Sequence, residues 1–271
     1  MQTYEHVTVR PHGFVAELVL DRPEAHNALS TAMARDVAAA CREVAADPSV
    51  RAVVVSSAAE KAFCVGADLK ERNTFTDDQL REQRPVFRAA FGAVLDLPVP
   101  TVAAVHGFAL GGGLELALSC DLMVCDETTV VGLPEVTVGV IPGGGGTQLL
   151  VRRVGSARAA DLVFTGRWVD VAEAERLGIV DRRVAAGTDG DEALSLAAQI
   201  AGNSPVGVRN AKRALRSAWD LDLAAGLDVE DECWRATAFS ADRREGVAAF
   251  NEKRRPDWPG VRTSDPGVRD E

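Results

Sequence analysis

Glu115 stands in an otherwise apolar run, residues 104–121, directly after Gly111-Gly112-Gly113-Leu114. Glycines let another chain or a ligand approach the backbone closely, and the first turn of a helix leaves N–H donors free to meet negative charge. A carboxyl group beside such donors can handle an oxyanion and a proton together, although a tight strand-to-helix turn with a structurally paired Glu has the same pattern. Two other segments repeat it: Phe63-Cys64-Val65-Gly66-Ala67-Asp68-Leu69-Lys70 and Gly132-Leu133-Pro134-Glu135. Each is an apolar run that ends in glycine with an acid close by. Parallel sheets gather ligands beyond the carboxyl ends of their strands. If the three turns share one sheet edge, Gly66/Ala67 and Gly112 can each aim an N–H at one carbonyl oxygen while Glu115 and Glu135 approach the same substrate. Preorganised N–H pairs stabilise a developing oxyanion. Two carboxyl groups in a partly apolar pocket acquire different pKa values, so one can act as acid and the other as base.

Those turns need elements to hold them. Residues 7–9 and 15–20 around Pro11-His12-Gly13 read as a β-hairpin. Ser30 caps a helix to about residue 46, with Met33, Val37, Ala40, Cys41 and Val44 at helical spacing. Strands are expected over 50–56, 101–105 and 130–132, and a helix over 77–95 that Pro98 and Pro100 stop. Strand and helix in alternation specify an α/β class with parallel strands and crossover helices. Beyond Ile179-Val180 the strand signals fade, and 191–201, 206–217, 221–239 and 243–253 read as helices, with Leu223, Leu227, Cys233 and Trp234 forming a packing face on the third. The chain thus divides into an α/β core (1–200), a helical part (201–255) and a loose Pro-, Gly- and charge-rich tail (256–271).

Composition narrows the function classes. With 30 basic and 40 acidic residues the formal charge is −10, which argues against a nucleic-acid surface. No apolar stretch is long enough to span a bilayer, and the first residues lack the basic and apolar regions of a secretory signal. Five cysteines without a C-x-x-C pair fit reduced thiols and a cytoplasmic location. The four scattered histidines form no zinc pattern, so no metal is expected. Gly143 to Gly146 with Thr147 lacks the lysine of a phosphate loop. Asp68 reads as a helix cap, His106 as structural, and Cys64 as a thiol without a His or Asn partner.

Residues 62–70, 107–117 and Pro134-Glu135 with 139–148 together resemble the crotonase family, the enoyl-CoA hydratase/isomerase superfamily. Residues 22–29 are similar to that family's early CoA-contacting segment and residues 242–254 to its C-terminal helix. The resemblance implies a spiral of ββα turns, with the C-terminal helices packing trimers that often pair into hexamers. It implies that the N–H groups of Ala67 and Gly112 form an oxyanion hole for the thioester carbonyl of an acyl-CoA. It implies that Glu115 and Glu135 are the catalytic pair of an enoyl-CoA hydratase. Substrate contacts are expected from Arg22, Ala25, Ala28, Ala62, Gly66, Asp68, Leu69, Gly111, Pro134, Gly143 and Lys253. No cofactor is implied, since coenzyme A is part of the substrate. The same likeness leaves room for a methylglutaconyl-CoA hydratase, for an isomerase moving a 3-enoyl double bond to position 2, and for an acyl-CoA-binding protein without catalysis.

Overall fold

Two neighbouring sheets are threaded by a chain that gives each in turn one strand. The computed structural model describes residues 3–260. β1 (Val7–His12) and β2 (Val15–Leu20) form the expected hairpin, with β1 running through Pro11 to His12. Pro11 lies in an edge strand, where a missing N–H costs no ladder bond. β3 (Ala52–Ser57), β5 (Thr101–Val105), β7 (Leu122–Asp126) and β10 (Arg182–Val184) then add in parallel, giving the order β1-β2-β3-β5-β7-β10. A second sheet has the order β4 (Ala62–Cys64), β6 (Phe108–Leu110), β8 (Val130–Gly132) and β9 (Trp168–Asp170). Consecutive pairs β3/β4, β5/β6 and β7/β8 split between the two sheets, each followed by helix, so the ββα spiral expected from the resemblance is present.

The helices form where caps and apolar spacing put them. Ser30 accepts the Met33 N–H at 3.1 Å and opens α1 (Thr31–Ala46). Asp68 caps the short α2 (Leu69–Arg72), and Thr76 opens α3 (Asp77–Leu95) with a reciprocal capping box through Gln79. α4 (Gly112–Leu118) follows β6; α5 (Gly146–Val154), α6 (Ser156–Thr165) and α7 (Val171–Leu177) follow β8. α1, α3 and α4 bury Met33, Phe91 and Leu116 in the main core, which also takes in Phe63 and Met123. α8 (Asp189–Ala201) covers the other face of the larger sheet, setting Ala193, Leu196 and Ala197 on Val54, Val102 and Val124. That face needs a cover because its strands are apolar on both sides.

The C-terminal helices α9 (Pro205–Ser217), α10 (Leu223–Ala238) and α11 (Ala241–Glu252) attach mainly by polar anchors. Lys212 donates to the Val99 carbonyl (2.7 Å) and pairs with Asp121 (2.8 Å), which Arg216 also binds. On α10 only Cys233 is buried; Leu223, Leu227 and Trp234 remain exposed, so the expected packing face is not closed within one chain. Residues 256–260 are tied down rather than loose: the Trp258 indole donates to the Gly202 carbonyl and the Asp257 N–H to Glu245. The rest of the expected tail lies outside the described residues. Among the described residues no helix is long and apolar enough to cross a membrane.

Candidate active site

Glu115 is only 3% exposed, a burial that an ionised carboxylate tolerates only with donors around it. Gly113 makes the position possible: α4 lies so close to β4 that a side chain there would run into the Cys64 carbonyl. The donors come from a distant loop. The N–H groups of Gly144 and Gly146, at the start of α5, reach the Glu115 Oε1 at 2.7 and 2.8 Å. Burial still raises the Glu115 pKa, and these N–H groups together with the Arg84 charge pull the other way.

Glu135 reaches the same turn under opposite conditions. It sits on a 3-10 turn, Pro134–Val138, with Oε1 3.1 Å from where a Cβ on Gly111 would stand. Its Oε2 is buried without a hydrogen-bond partner. Burial, with the Glu115 charge adding to it, pushes its pKa up to about 7. Glu115 thus has N–H donors placed to accept a negative charge, whereas Glu135 has a buried oxygen without one.

The two remaining turns meet beside these acids. Gly66 has φ of 89°, and a Cβ on it would stand 2.8 Å from the Leu110 carbonyl and 3.2 Å from the Gly112 nitrogen, so glycine is required on both grounds. Leu29 bridges this turn in parallel fashion, donating to the Gly66 carbonyl (2.7 Å) and accepting from Asp68 N–H (2.9 Å). In that register the Ala67 N–H points away from Leu29. The Gly112 N–H is the first of α4 and has no acceptor within its own helix. Two backbone donors thus flank the turn where Gly66 touches Gly112. A small site with two N–H donors and two buried carboxyl groups can hold a carbonyl oxygen and move protons at neighbouring atoms.

The family model for enoyl-CoA hydratase/isomerase matches residues 11–261. The chain belongs to the enoyl-CoA hydratase/isomerase family. It is 41% identical over 254 residues to mouse enoyl-CoA hydratase domain-containing protein 2, mitochondrial, covering 92% of this chain and 86% of the mouse protein. The crystal structure of an enoyl-CoA hydratase from Bacillus anthracis superposes with a TM-score of 0.92 at 37% identity, covering 95% of this chain and all of the other. One from Mycobacterium smegmatis gives 0.87 at 32% identity, with 93% and 98% covered.

Around the candidate site the other expected residues take varied places. Gly111, Gly66 and Pro134 lie directly in the turns that carry Gly112, Ala67 and Glu135. Gly143 offers its carbonyl to Arg84 (2.6 Å), and its neighbours Gly144 and Gly146 supply the donors for Glu115. Asp68 caps α2, as expected, and also pairs with Arg22 at 2.7 Å. Arg22 spends its guanidinium on Asp68 and on the Ala28 carbonyl, fastening the loop that holds Ala25. Ala62 lies in β4, buried, and Leu69 is exposed at the start of α2. Lys253 caps the end of α11, where no described contact joins it to Glu115 or its neighbours. His106 is bound to Asp189 (3.0 Å) and the Ala59 carbonyl (2.8 Å). The Cys64 thiol is fully buried and pushed up to about 12, which suits packing rather than attack.

Sequence reasoning missed five contributors. Gly144 and Gly146 were legible only as a glycine run. Asn27 is fully buried with φ of 54° and pins the 22–29 loop by donating to Ser57 (2.8 Å) and the Phe63 carbonyl (2.9 Å). An Asn between Ala-His and Ala-Leu is a left-handed turn signal that could have marked it. Arg72 and Arg84 carried no motif at all.

Proposed function

We propose that this chain adds water across the 2,3 double bond of a trans-2-enoyl-CoA to give a 3-hydroxyacyl-CoA. The supporting observation is the unequal pair of acids: Glu115 held by two N–H donors, and Glu135 against the Gly111 turn with an unpartnered buried oxygen and a pKa near neutrality that the Glu115 charge helps to raise. In this reading the thioester carbonyl oxygen accepts the N–H groups of Ala67 and Gly112. Glu115 takes a proton from water, the water oxygen bonds to C3, and the electron pair of the double bond moves to an enolate whose oxygen the two donors hold. Glu135 gives its proton to C2 and the thioester re-forms. Water is thereby added complete, and proton exchange between the two acids or with solvent resets them. The protein supplies no cofactor, because coenzyme A travels with the substrate.

The test is the ultraviolet absorbance of the conjugated thioester. Added crotonyl-CoA should lose absorbance and yield 3-hydroxybutyryl-CoA by mass. No loss, with a 3-enoyl-CoA instead gaining absorbance, would replace the reading by the isomerase. Silence with both would leave an acyl-CoA-binding protein. Self-association into trimers or hexamers belongs to the same proposal. Trp234 (61% exposed) on α10, Phe239 (73%) at its C-terminal cap and Phe250 (84%) on α11 are exposed apolar side chains that a second copy would cover. Light scattering reads the mass.

A further inference from the structure

The peptide bond between Gly143 and Gly144 is held from both ends. Its N–H donates to the Glu115 Oε1 at 2.7 Å, and its carbonyl accepts from a terminal nitrogen of Arg84 at 2.6 Å. In a planar trans peptide the C=O and the N–H point in opposite directions, so Arg84 and Glu115 lie on opposite sides of one rigid unit. Arg84 belongs to α3, 59 residues before Gly143 in the chain. Among the described residues no backbone N–H donates to the Gly143 carbonyl, which leaves the guanidinium as its donor.

Such a unit needs a clamp. With no Cβ at either residue, a peptide between two glycines rotates at little steric cost. A half-turn would exchange the N–H for the carbonyl oxygen and set the negative end of a dipole against the carboxylate. Phe91 limits where Gly144 can sit, since a Cβ there would stand 2.5 Å from its ring, but that packing does not choose which end of the peptide faces Glu115. The bond from Arg84 does. A charged donor on the carbonyl also polarises the amide and strengthens the bond that its N–H makes. The charged groups that bear on Glu115 are Arg84 from α3, Arg72 from α2 and Glu135 from the 3-10 turn. Arg72 donates its Nε to Gln83 (2.9 Å) and stacks 4.9 Å above the Phe87 ring, so it acts on Glu115 through charge. Arg84 adds a bond to the cradle itself.

We propose that Arg84 is a positioning residue for Glu115, fixing the Gly143–Gly144 peptide with its N–H on the carboxylate. The inference rests on the proposed role of Glu115 as the base, and it makes that role depend on a side chain of α3. Without Arg84 the carboxylate loses a fixed donor and a facing cation together, so it keeps its proton to higher pH.

The Gly144 amide proton reports this contact without any turnover, in proton–nitrogen correlation spectra of the isotope-labelled full chain. In wild type it should lie downfield and titrate with a carboxyl group, and Glu115→Gln should abolish that titration and so identify the carboxyl. Arg84→Met, which keeps the apolar stem and removes the guanidinium, should move the proton upfield and raise the midpoint by about one pH unit. Arg84→Lys, which keeps a charge and a donor, should recover most of both. With crotonyl-CoA, Arg84→Met should lower kcat/KM by up to about tenfold on the acid side of the profile, the difference from wild type narrowing as pH rises. An amide proton and a midpoint unchanged in Arg84→Met overturn the inference, whatever the rate does. A rate loss of the same size at every pH overturns it as well, because the ionisation of Glu115 would then not be what Arg84 controls. A wild type that fails to hydrate crotonyl-CoA counts against the proposed reaction, and the amide titration still decides whether Arg84 sets the Glu115 cradle.

Discussion

Glu115 and Glu135 are the same side chain in two environments, and the difference is made by backbone. The loop before α5 turns two glycine N–H groups onto Glu115, a preorganised cradle for negative charge at a 3% exposed position. The 3-10 turn that carries Glu135 offers its Oε2 nothing and leaves it buried. Desolvation raises both, and Glu115 has two N–H donors against it where the Glu135 Oε2 has none. The two environments are thus set by main-chain direction rather than by residue type.

Removing the base should break this division most severely. In Glu115→Gln the amide oxygen can still accept the Gly144 and Gly146 N–H groups, so the fold is expected to persist while proton abstraction is lost. Turnover of crotonyl-CoA should fall by about 10³–10⁴. A fall of less than tenfold, with unchanged thermal unfolding, would remove Glu115 from the reaction. Glu135→Gln should cost about 10²–10³, and it should also abolish an alkaline decline of kcat/KM. With Glu135 as the acid of the proposed reaction, wild type should lose rate as pH rises through about 7. If the decline survives in Glu135→Gln, another group carries it.

The contrast also predicts a stability effect with a definite sign. The Glu135 pKa is raised from 4.5 to about 7 on folding. Between those values the unfolded chain has released a proton that the native one keeps, so native stability falls as pH rises from about 4.5 to 7 and is level above. Discounted for the partial exposure of the residue, the loss is on the order of 1–2 kcal/mol. Urea unfolding should therefore show Glu135→Gln more stable than wild type at pH 8 and equal to it near pH 4.5. Equal stability at both pH values would mean that Glu135 is not held in its acid form.

What was legible in the sequence follows the same line. A cap and periodicity located α1 almost to the residue, because Ser30 states its start locally; Pro98 and Pro100 bounded α3, whose Thr76 capping box was not read. The parallel strand β7 was not singled out: it lies buried between neighbours, and its apolar run merges with that of α4. β4, β6 and β9 are three residues each, too short to show a period. Glu115, Glu135, Gly112 and Ala67 were legible as candidates because each sits in a glycine turn of distinct composition. The cradle of Glu115 was not, since Gly144 and Gly146 lie about thirty residues away and act through N–H groups that carry no side-chain signature. Leu227 and Trp234 were read as packing because helical spacing reports an apolar face and not what covers it.

His106 provides the smallest and sharpest control on the comparison. It lies just before the Gly107 turn, yet both ring nitrogens face acceptors, the Asp189 carboxylate and the Ala59 carbonyl. Only the doubly protonated ring satisfies both, and the Asp189 bond, against burial, raises its pKa above 6.5. The stability from this pairing is therefore complete below pH 6.5 and declines as pH rises through the folded-state value. His106→Gln should cost about 1–2 kcal/mol at pH 5.5 and less at pH 9, with turnover within about threefold of wild type. A loss of rate comparable to that of the Glu variants would make His106 part of the chemistry. A cost independent of pH would mean that the ring is neutral in the fold, and the network joining β5 to α8 would then rest on one hydrogen bond instead of a charged pair.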